Sequence, residues 1–434
     1  MRRSYSYNSS SSSGSSPCIS PVSSRSSISD DDRDDDISNL DLSGSGSLDA
    51  RSYILVIGGL GFIGSHTTLE LLKEGYNVAI IDNMSNSYES KFTSIQSLAK
   101  QHWTAKGGKC PDLKLHKLDY RSPALRTILG RYVVQEPESS RLSYISGVIH
   151  FAAYKSVEES TRSPLAYYQN NVSGLIDLLV LLSDFGIQNF VFSSSATVYG
   201  SVLSKGGKPV QEEQLIHHET AHVDGQGQRM TLVPNVGGLT SPYGRTKYFG
   251  EAILADVALA DPSWRLTALR YFNPVGCEPS GLLGEDPRQK ATNLFPVVSQ
   301  VLVGDRASLD VFGTDWDTCD GTAVRDYIHV MDLARGHVAA LATAGARPAE
   351  FAFRAYNLGT GTGSTVDQVV SCMQTAAKRT IPVNRTGRRT GDVGFCVAAT
   401  DRARSELGWE TQLSLEDCAA DTWRYLQSSG RVAV

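Results

Sequence analysis

The sequence has no hydrophobic run long enough to cross a lipid bilayer, which takes about 20 consecutive apolar residues. The longest candidate, residues 175–182, is short and contains Asp177. The chain also has little net charge: its formal value is −5, of which residues 1–50 carry −4 and the other 384 residues −1. A nearly neutral body excludes an extended electrostatic surface for nucleic acid or for an anionic membrane.

The cysteines lack the spacing of a disulfide framework or a metal finger. There is no Cys-x-x-Cys pair, and the set is odd in number: Cys18, Cys110, Cys277, Cys319, Cys372, Cys396 and Cys418. Such a set is typical of reduced thiols in the cytosol. We therefore expect a cytoplasmic protein without disulfides and without a metal site.

Residues 1–52 differ in composition from the rest of the chain. Serine occupies 19 of the first 50 positions, and the acidic run 30–36 is interrupted only by Arg33. Such a segment cannot bury enough apolar surface to offset the entropy of ordering it. We expect a disordered, solvated tail that is open to phosphorylation. A transit peptide is disfavoured because those sequences are poor in acidic residues.

Strands and helices alternate from Tyr53 onwards. Residues 53–57 and 77–81 are short β-branched runs typical of strands buried on both faces, and 65–73 between them has helical spacing. The same reasoning predicts strands at 147–152, 189–193 and 266–271 and helices at 167–185 and 243–260. The order predicts an α/β fold: a Rossmann-type doubly wound parallel sheet with a smaller mixed α/β substrate-binding lobe.

A glycine-rich turn follows the first predicted strand. Gly58, Gly61 and Gly64 have the spacing G-x-x-G-x-x-G between a strand and a helix. Bare backbone there lets a pyrophosphate approach closely, and the helix N-terminus supplies free N–H groups. Asp82 ends the second strand, where a carboxylate accepts hydrogen bonds from an adenosine ribose and repels a 2′-phosphate. The pattern predicts NAD as the cofactor rather than NADP.

Three further polar residues suit acid–base chemistry. Ser195 follows a predicted strand, and Tyr243 and Lys247 open a helix at i, i+4 spacing, which puts phenol and ammonium on one face. A tyrosine acting as a base near neutral pH needs its pKa lowered by about 3 units. We expect Lys247 together with a positively charged nicotinamide to supply that shift. The set resembles the catalytic Ser, Tyr and Lys of the short-chain dehydrogenase/reductase superfamily.

A longer series of blocks resembles the UDP-glucose 4-epimerase family, which belongs to that superfamily. The blocks are DNMSNS (82–87), HFAAYKSVEES (150–160), YYQNNVSG (167–174), FSSSATVYG (192–200), SPYGRTK (241–247), RYFNPVG (270–276), GEDP (284–287), VRDYIHVMDLARGH (324–337) and YNLGTGTG (356–363). They run from about Tyr53 to Trp409, essentially the whole predicted body. The resemblance implies an isomerase that uses NAD to invert C4 of a UDP-hexose through a 4-keto sugar.

The resemblance also assigns residues to roles. It makes Ser195, Tyr243 and Lys247 catalytic. It implies NAD contacts from Gly58, Gly61, Phe62, Ile63, Gly64, Asp82, Asn83, Asn86, Ser87, Asp119, Tyr120, Phe151, Ala152, Ala153, Lys155, Asn170, Tyr243, Lys247 and Phe272. It implies UDP-sugar contacts from Ser195, Ala196, Thr197, Tyr243, Asn273, Asn293, Leu294, Phe312, Arg325, Arg389, Asp392 and Cys396.

In the implied reaction, Tyr243 takes the proton of the sugar 4-hydroxyl while C4 gives its hydride to NAD. Ser195 hydrogen-bonds the same oxygen. The keto sugar then turns about its diphosphate and recovers the hydride on its other face. Arg325 and Arg389 suit that diphosphate because planar guanidinium groups bind its oxygens bidentately.

Rival functions differ at recognisable positions. A sugar-nucleotide 4,6-dehydratase of this fold carries Asp-Glu after the strand Ser or Thr, where this chain has Ala196 and Thr197. A non-catalytic NAD sensor has no need of Tyr243 and Lys247, which are both present. An epimerase that acts mainly on UDP-xylose and UDP-arabinose remains an alternative.

Cys396, in RRTGDVGFC (388–396), lies where the family has either tyrosine or a smaller residue. A small side chain leaves room for a 2-acetamido group, so we expect turnover of UDP-N-acetylglucosamine as well as of UDP-glucose. The alternative is that Cys396 simply packs.

We divide the chain into the tail 1–52, an NAD-binding Rossmann domain 53–272 and a UDP-sugar-binding lobe 273–434. Part of 326–360 is expected to return to the first domain. Residues 201–240 form a polar, glycine-rich insertion that we expect to be a surface loop, and its His217-His218-Glu219 lacks the HExxH spacing of a zinc site. The family implies a homodimer through helices of the nucleotide domain.

Overall fold

The computed structural model describes residues 51–134, 143–204, 207–223, 227–286, 288, 291–348, 351–389 and 392–432. Residues 1–50, nearly all of the expected disordered tail, lie outside these ranges. Within the described ranges, no helix is both long and apolar enough to cross a membrane.

The elements follow one another along the chain largely as strand, helix, strand. The strands are β1 Tyr53–Ile57, β2 Asn77–Asp82, β3 Leu113–Lys117, β4 Ile145–His150, β5 Asn189–Ser195, β6 Thr220–Val223, β7 Arg229–Leu232, β8 Arg265–Tyr271, β9 Asn273–Val275, β10 Leu309–Phe312, β11 Val324–Arg325, β12 Tyr327–His329, β13 Phe353–Leu358, β14 Ser364–Thr365, β15 Val383–Thr386 and β16 Phe395–Cys396. The α-helices are α1 Phe62–Lys73, α2 Ser90–Lys106, α3 Ala124–Gly130, α4 Val157–Arg162, α5 Pro164–Tyr168, α6 Gly174–Asp184, α7 Pro242–Ala260, α8 Leu294–Val303, α9 Val330–Ala344, α10 Val366–Ala377, α11 Asp401–Leu407 and α12 Leu415–Ser428.

A seven-stranded sheet forms the centre of the nucleotide side. Its order is β13-β8-β5-β4-β1-β2-β3, and every pairing is parallel. All five residues of β1 are buried, as the continuous apolar run predicted. The Rossmann-type parallel sheet predicted from the sequence is confirmed.

The strand order reverses between β1 and β4, because the chain first builds outward through β2 and β3 and then returns to the other side of β1. In such sheets ligands bind outside the carboxyl ends of the strands at this reversal. Gly58, Asp82, Phe151, Ser195 and Phe272 all lie at or directly after carboxyl ends, so one edge of the sheet collects them.

Helix α7 carries two of the predicted catalytic residues and begins where its cap requires. The Ser241 hydroxyl accepts a hydrogen bond from the Gly244 amide (3.1 Å), and Pro242 occupies the first turn, where a missing N–H costs nothing. The helix ends at Ala260, the residue that the sequence predicted.

A second apolar core lies away from the large sheet. It combines residues of α8, β10, α10 and α12, including Phe295, Val311, Met373 and Cys418. β13, which follows α9, belongs to the seven-stranded sheet. The division into domains at residues 272 and 273 stays a prediction.

Candidate active site

The glycine turn after β1 lies against the segment that follows β4. Gly58 has a φ of 81°, in the left-handed region, and a Cβ there would come within 2.8 Å of the Ala152 nitrogen. A Cβ on Gly64 would overlap the Gly58 carbonyl oxygen. Gly61 caps α1, so Phe62 and Ile63 are its first residues. The side-chain-free backbone of the glycine turn therefore lies next to the N-terminus of α1. This arrangement suits the binding of a dinucleotide pyrophosphate.

Asp82 is held at the end of β2 by three protein donors. Its Oδ2 accepts from the Leu60 amide (2.9 Å), and its Oδ1 accepts from the Met84 amide (2.8 Å) and the Ser87 hydroxyl (3.0 Å). An ionised carboxylate has about four acceptor positions. The geometry therefore orients Asp82 and leaves it acceptor capacity for a ribose hydroxyl.

The predicted residues beyond β3 form a connected group. Asn83 donates to Asp119 Oδ2 (3.0 Å), and hydrogen bonds from Arg121 lower the pKa of Asp119 to about 2. Tyr120 donates through its hydroxyl to the carbonyl oxygen of Asn170 (2.5 Å). The buried Asn170 also bonds its neighbour Asn171. Residues 83, 119, 120 and 170 are thus brought together along the edge of the sheet.

The segment after β4 and the residues near Asn86 meet a stretch from later in the chain. Lys155 Nζ is 3.6 Å from Glu285 Oε1. The Asn86 side chain accepts from the Arg288 amide (3.0 Å), and the Ser87 carbonyl accepts from Arg288 Nε (2.7 Å). Phe151, Ala152 and Ala153 are half-buried beside this edge.

Each of the three serines that end β5 meets one residue of α7. Ser195 hydrogen-bonds Tyr243. The Lys247 ammonium donates to the Ser193 carbonyl and to the Ser193 hydroxyl (3.1 Å), and it lies 4.8 Å above the Phe192 ring. The predicted catalytic residues therefore do come together. Sequence reasoning missed Ser193, although the Ser193–Ser195 triplet was a visible signal.

Burial controls the two titratable groups. It raises the pKa of Tyr243 to about 12, and the hydrogen bond with Ser195 offsets only part of that rise. Burial lowers the pKa of Lys247 to about 7, against the opposing influence of Glu251. The expected lowering of the Tyr243 pKa is absent in the protein alone. A second positive charge near the phenol is needed to reverse the effect of burial.

A fully buried ion pair lies one helical turn beyond Lys247. Glu251 accepts from Arg270 Nη2 (2.7 Å) and from the Ser194 hydroxyl, and His217 Nε2 lies 3.1 Å from Glu251 Oε2. Arg270 also donates to the Tyr199 hydroxyl (2.9 Å). Sequence reasoning missed this group, although Glu251 has the same i, i+4 spacing from Lys247 that joins Lys247 to Tyr243.

The expectation of a surface loop at 201–240 is wrong for part of residues 210–217, where buried residues alternate with the exposed Gln211 and Gln214. Val210, Glu212 and Leu215 are each less than 5% exposed. The reason is that Leu215 and Glu212 turn their carbonyl oxygens to the buried Arg270 guanidinium, at 3.0 and 3.3 Å. A buried guanidinium needs such acceptors.

The predicted sugar-nucleotide residues form a more open group. Arg325 and Arg389 both pair with Asp392, the second at 3.4 Å, and the Arg389 guanidinium lies 4.4 Å from the Phe312 ring centre. Asn293 caps α8 and Leu294 is its first residue. Asn273 pairs with Tyr327 in a short parallel ladder. The Asn273 amide donates to the carbonyl of Asp326 (2.9 Å), the residue after Arg325, and among the described residues no hydrogen bond joins Asn293 or Asn273 to either arginine.

Cys396 lies opposite Arg325 in the ladder between β11 and β16. Its side chain is buried in an apolar cluster with Ala196, Phe272 and Ala398, and this burial raises the pKa of the thiol to about 12. Thr197 donates through its backbone and its hydroxyl to Ser195 (3.3 and 3.1 Å). Cys396 therefore packs behind Ala196, the neighbour of Ser195.

Comparison with known proteins finds similarity to epimerases, both in a family model and in individual sequences. A model of the NAD dependent epimerase/dehydratase family matches residues 54–359. The chain is similar to the UDP-glucose 4-epimerase of Homo sapiens, with 42% identity over 373 residues that cover 86% of this chain and 95% of the human protein.

Solved structures give the same result. The fold is similar to that of UDP-glucose 4-epimerase from Bifidobacterium longum in complex with NAD+ and UDP, with a TM-score of 0.73, 38% identity, and coverage of 88% of this chain and 99% of the other. It is equally similar to that of UDP-glucose-4-epimerase from Stenotrophomonas maltophila with NAD and formylated UDP-arabinopyranose, at a TM-score of 0.73, 36% identity, and coverage of 88% and 100%.

Proposed function

This chain belongs to the NAD dependent epimerase/dehydratase family, and from that premise we propose that it inverts C4 of UDP-hexoses, interconverting UDP-glucose and UDP-galactose. The observation that carries the proposal is the grouping of Ser195, Tyr243 and Lys247 at the carboxyl edge of the sheet that also carries the Gly58–Gly64 turn. This grouping supports acid–base chemistry beside a dinucleotide site.

In this proposal the glycine turn and Asp82 bind two parts of the NAD adenosine diphosphate, and further residues complete the pocket. The backbone of the glycine turn receives the pyrophosphate, and Asp82 receives the adenosine ribose. Asn83, Asn86, Ser87, Asp119, Tyr120, Phe151, Ala152, Ala153, Lys155, Asn170 and Phe272 complete the pocket. When bound, NAD supplies an acceptor and donor of hydride, so that the sugar passes through a 4-keto form.

The chain's own residues move the proton and hold the sugar. The Tyr243 oxygen takes the proton of the 4-hydroxyl, and Ser195 hydrogen-bonds the same oxygen. The Lys247 ammonium, held by Ser193, favours the phenolate. Proton transfer by a positioned group of this kind contributes about 10²- to 10⁴-fold in rate.

Arg325 and Arg389 anchor the diphosphate, so the keto sugar can turn without leaving the site. Asp392 pairs with both guanidinium groups, so the diphosphate competes with this carboxylate for them. Phe312, Asn273, Asn293 and Leu294 complete this side. Ala196 and Thr197 supply no carboxyl group where a dehydratase needs one, which favours epimerisation over loss of water.

The deciding experiment uses UDP-galactose labelled with deuterium at C4 and purified protein without added NAD. We expect UDP-glucose to form with the deuterium kept at C4 and without accumulation of NADH. Loss of the deuterium to solvent would contradict the scheme. Nucleotide binding without turnover would support the sensor instead, and faster conversion of UDP-xylose than of UDP-glucose would favour the pentose alternative.

Cys396 extends the proposal to UDP-N-acetylglucosamine. The family resemblance supports this extension, because Cys396 stands where a larger tyrosine side chain would take up space beside the sugar. We expect wild-type protein to turn over both UDP-glucose and UDP-N-acetylglucosamine, and Cys396→Tyr to lose mainly the second activity. Undetectable turnover of the acetamido sugar by wild type would reject this extension.

A homodimer is also part of the proposal. Helices α6 and α7 expose Ile176, Val180, Phe249 and Leu259, and apolar helix faces of this kind are typical of subunit contacts. We expect light scattering to give twice the chain mass for wild type and the single mass for Val180→Asp. A wild-type monomer would reject this assignment.

The proposal includes a cytosolic location. It is supported by the described cysteines, which are free thiols: Cys110, Cys277, Cys319, Cys372, Cys396 and Cys418.

The proposal also includes the division into an NAD-binding domain, 53–272, and a UDP-sugar lobe, 273–434, with the substrate bound between them.

A further inference from the structure

Residues 210–217, named here the buried brace, contact the helix that carries the catalytic pair. His217 Nε2 lies 3.1 Å from Glu251 Oε2 on α7, and the His217 side chain is only 4% exposed. The His217 ring also lies against Tyr248, with ring centres 5.1 Å apart. The Leu215 carbonyl accepts from Arg270, which also donates to Glu251.

The other end of the buried brace contacts the segment that directly follows Cys396. The Val210 amide donates to the Val397 carbonyl (2.9 Å), and the Ala399 amide donates to the Val210 carbonyl (2.9 Å). Asn357 Nδ2 donates to the same Val210 carbonyl (2.8 Å). Backbone hydrogen bonds on both sides of Val210 fix the chain just after Cys396.

One apolar cluster joins the two ends. Val210 and Leu215 pack in the same buried group as Ala196, Phe272 and Cys396. Ala196 is the neighbour of Ser195, and Phe272 is a proposed NAD contact. The buried brace therefore touches the catalytic strand end, the cofactor side and the sugar side together.

We propose that the buried brace is a positioning element for the proposed epimerase reaction, and that His217 is a positioning residue that fixes Glu251 one helical turn from Lys247. This rests on the proposed function, because it assigns Lys247 its catalytic role. His217 touches neither substrate nor cofactor in the proposal. It acts through the carboxylate that it holds.

The electrostatics of the cluster agree with this role. Burial alone would raise the pKa of Glu251, but Arg270 and His217 bring it well below its usual value. Glu251 is therefore an anion that only accepts, so His217 donates through Nε2–H. The negative charge of Glu251 opposes the lowering of the Lys247 pKa by burial. The titratable or charged groups that act on Glu251 and Lys247 from the packed elements are Arg270 on β8, Tyr199 after β5, His150 on β4 and His217 in the brace.

His217→Leu tests the proposal because it removes the hydrogen bond and keeps a buried apolar side chain. A less firmly held Glu251 supports the Lys247 ammonium less well, so activity should fall first at alkaline pH. We expect the alkaline limb of the kcat profile to move down by about half a pH unit, so that kcat at pH 9 falls about threefold. KM for UDP-galactose should stay within about twofold.

Two matched variants separate positioning from general damage. His217→Gln keeps an N–H donor and should restore most of kcat and the wild-type pH limb. His218→Gln changes the neighbouring histidine, whose side chain is 40% exposed and pairs with Asp256 at the surface. It should leave kcat, KM and the pH limb unchanged.

An unchanged pH limb and kcat in folded His217→Leu would overturn the proposal. So would equal losses in the Leu and Gln variants. If His217→Leu fails to fold, His217→Asn, which is polar but too short to reach Glu251, replaces it with the same expected shift. If wild-type protein does not epimerise UDP-galactose, the proposed function is contradicted. If wild type and His217→Leu are equally active, only the role of His217 is contradicted.

Discussion

The nucleotide side and the sugar side of the proposed site hold their polar groups differently. On the nucleotide side, Asp82 and Lys247 are at least nine-tenths buried and are fixed by backbone atoms and serine hydroxyls. On the sugar side, Arg389 is 58% exposed, and both proposed anchors pair with Asp392. The fold therefore preorganises the first side. On the second, a substrate anion must compete with a carboxylate of the protein.

The largest expected effect comes from the preorganised side. Tyr243→Phe removes the phenol oxygen and leaves the ring, so NAD and UDP-sugar still bind while proton transfer is lost. We expect kcat to fall about 10³-fold or more, with KM changed only a few-fold. Steady-state kinetics with UDP-galactose measures both, and the NAD content after purification is the control. Turnover near the wild-type value would exclude Tyr243 as the base.

The glycine turn should show the next largest effect. In Gly64→Ala the new Cβ overlaps the Gly58 carbonyl oxygen, so the turn must shift at the point where backbone meets the pyrophosphate. We expect the NAD retained per chain to fall at least about tenfold, measured by absorbance after release. Gly130→Ala is the matched control, since its Cβ meets nothing within 4 Å. Equal NAD contents in the two variants would contradict this assignment.

The sugar side should respond through affinity rather than rate. Arg389→Ala removes one half-exposed anchor, and Arg325 remains in its ion pair with Asp392. We expect KM for UDP-galactose to rise about tenfold, with kcat within about threefold. Arg385→Ala is the control because Arg385 is similarly exposed and pairs with Asp367 (2.7 Å). A fall in kcat without a change in KM would place Arg389 in the chemistry instead.

Local patterns predicted the preorganised side well. The apolar runs of β1 and β2 and the glycine spacing are short-range signals, and the structure has both strands where they were expected. Helix α1 begins at Phe62, three residues earlier than predicted, because Gly61 caps it inside the glycine turn. The first residues of the helix thus lie inside the glycine turn, and hydrophobic spacing alone does not reveal where such a helix begins.

Contacts between distant residues were not predictable from these patterns. The polar composition of 201–240 suggested a solvated loop, yet Glu212 is buried and accepts from the Asn357 amide (2.8 Å), 145 residues away. Burial of a carboxylate depends on partners that only the fold supplies. The same reason hid Glu251, whose partners Ser194, Arg270 and His217 come from three separate segments.

The smallest expected effect concerns stability. It tests whether the buried Lys247 ammonium on the nucleotide side lowers the free energy of unfolding. Burial lowers the pKa of Lys247 from 10.5 to about 7. Between those values the unfolded chain binds more protons than cofactor-free folded protein, so the free energy of unfolding rises with pH there; below pH 7 the cost of the buried ammonium is complete. Lys247→Met should therefore have a higher free energy of unfolding than wild type at pH 6, and this gain should be about 2–3 kcal/mol smaller at pH 9. Urea unfolding of NAD-free protein at both pH values measures it, with the partly exposed Lys73→Met as control. If Lys247→Met is stabilised equally at pH 6 and pH 9, the difference in free energy of unfolding between the variant and wild type comes from packing and not from the buried charge.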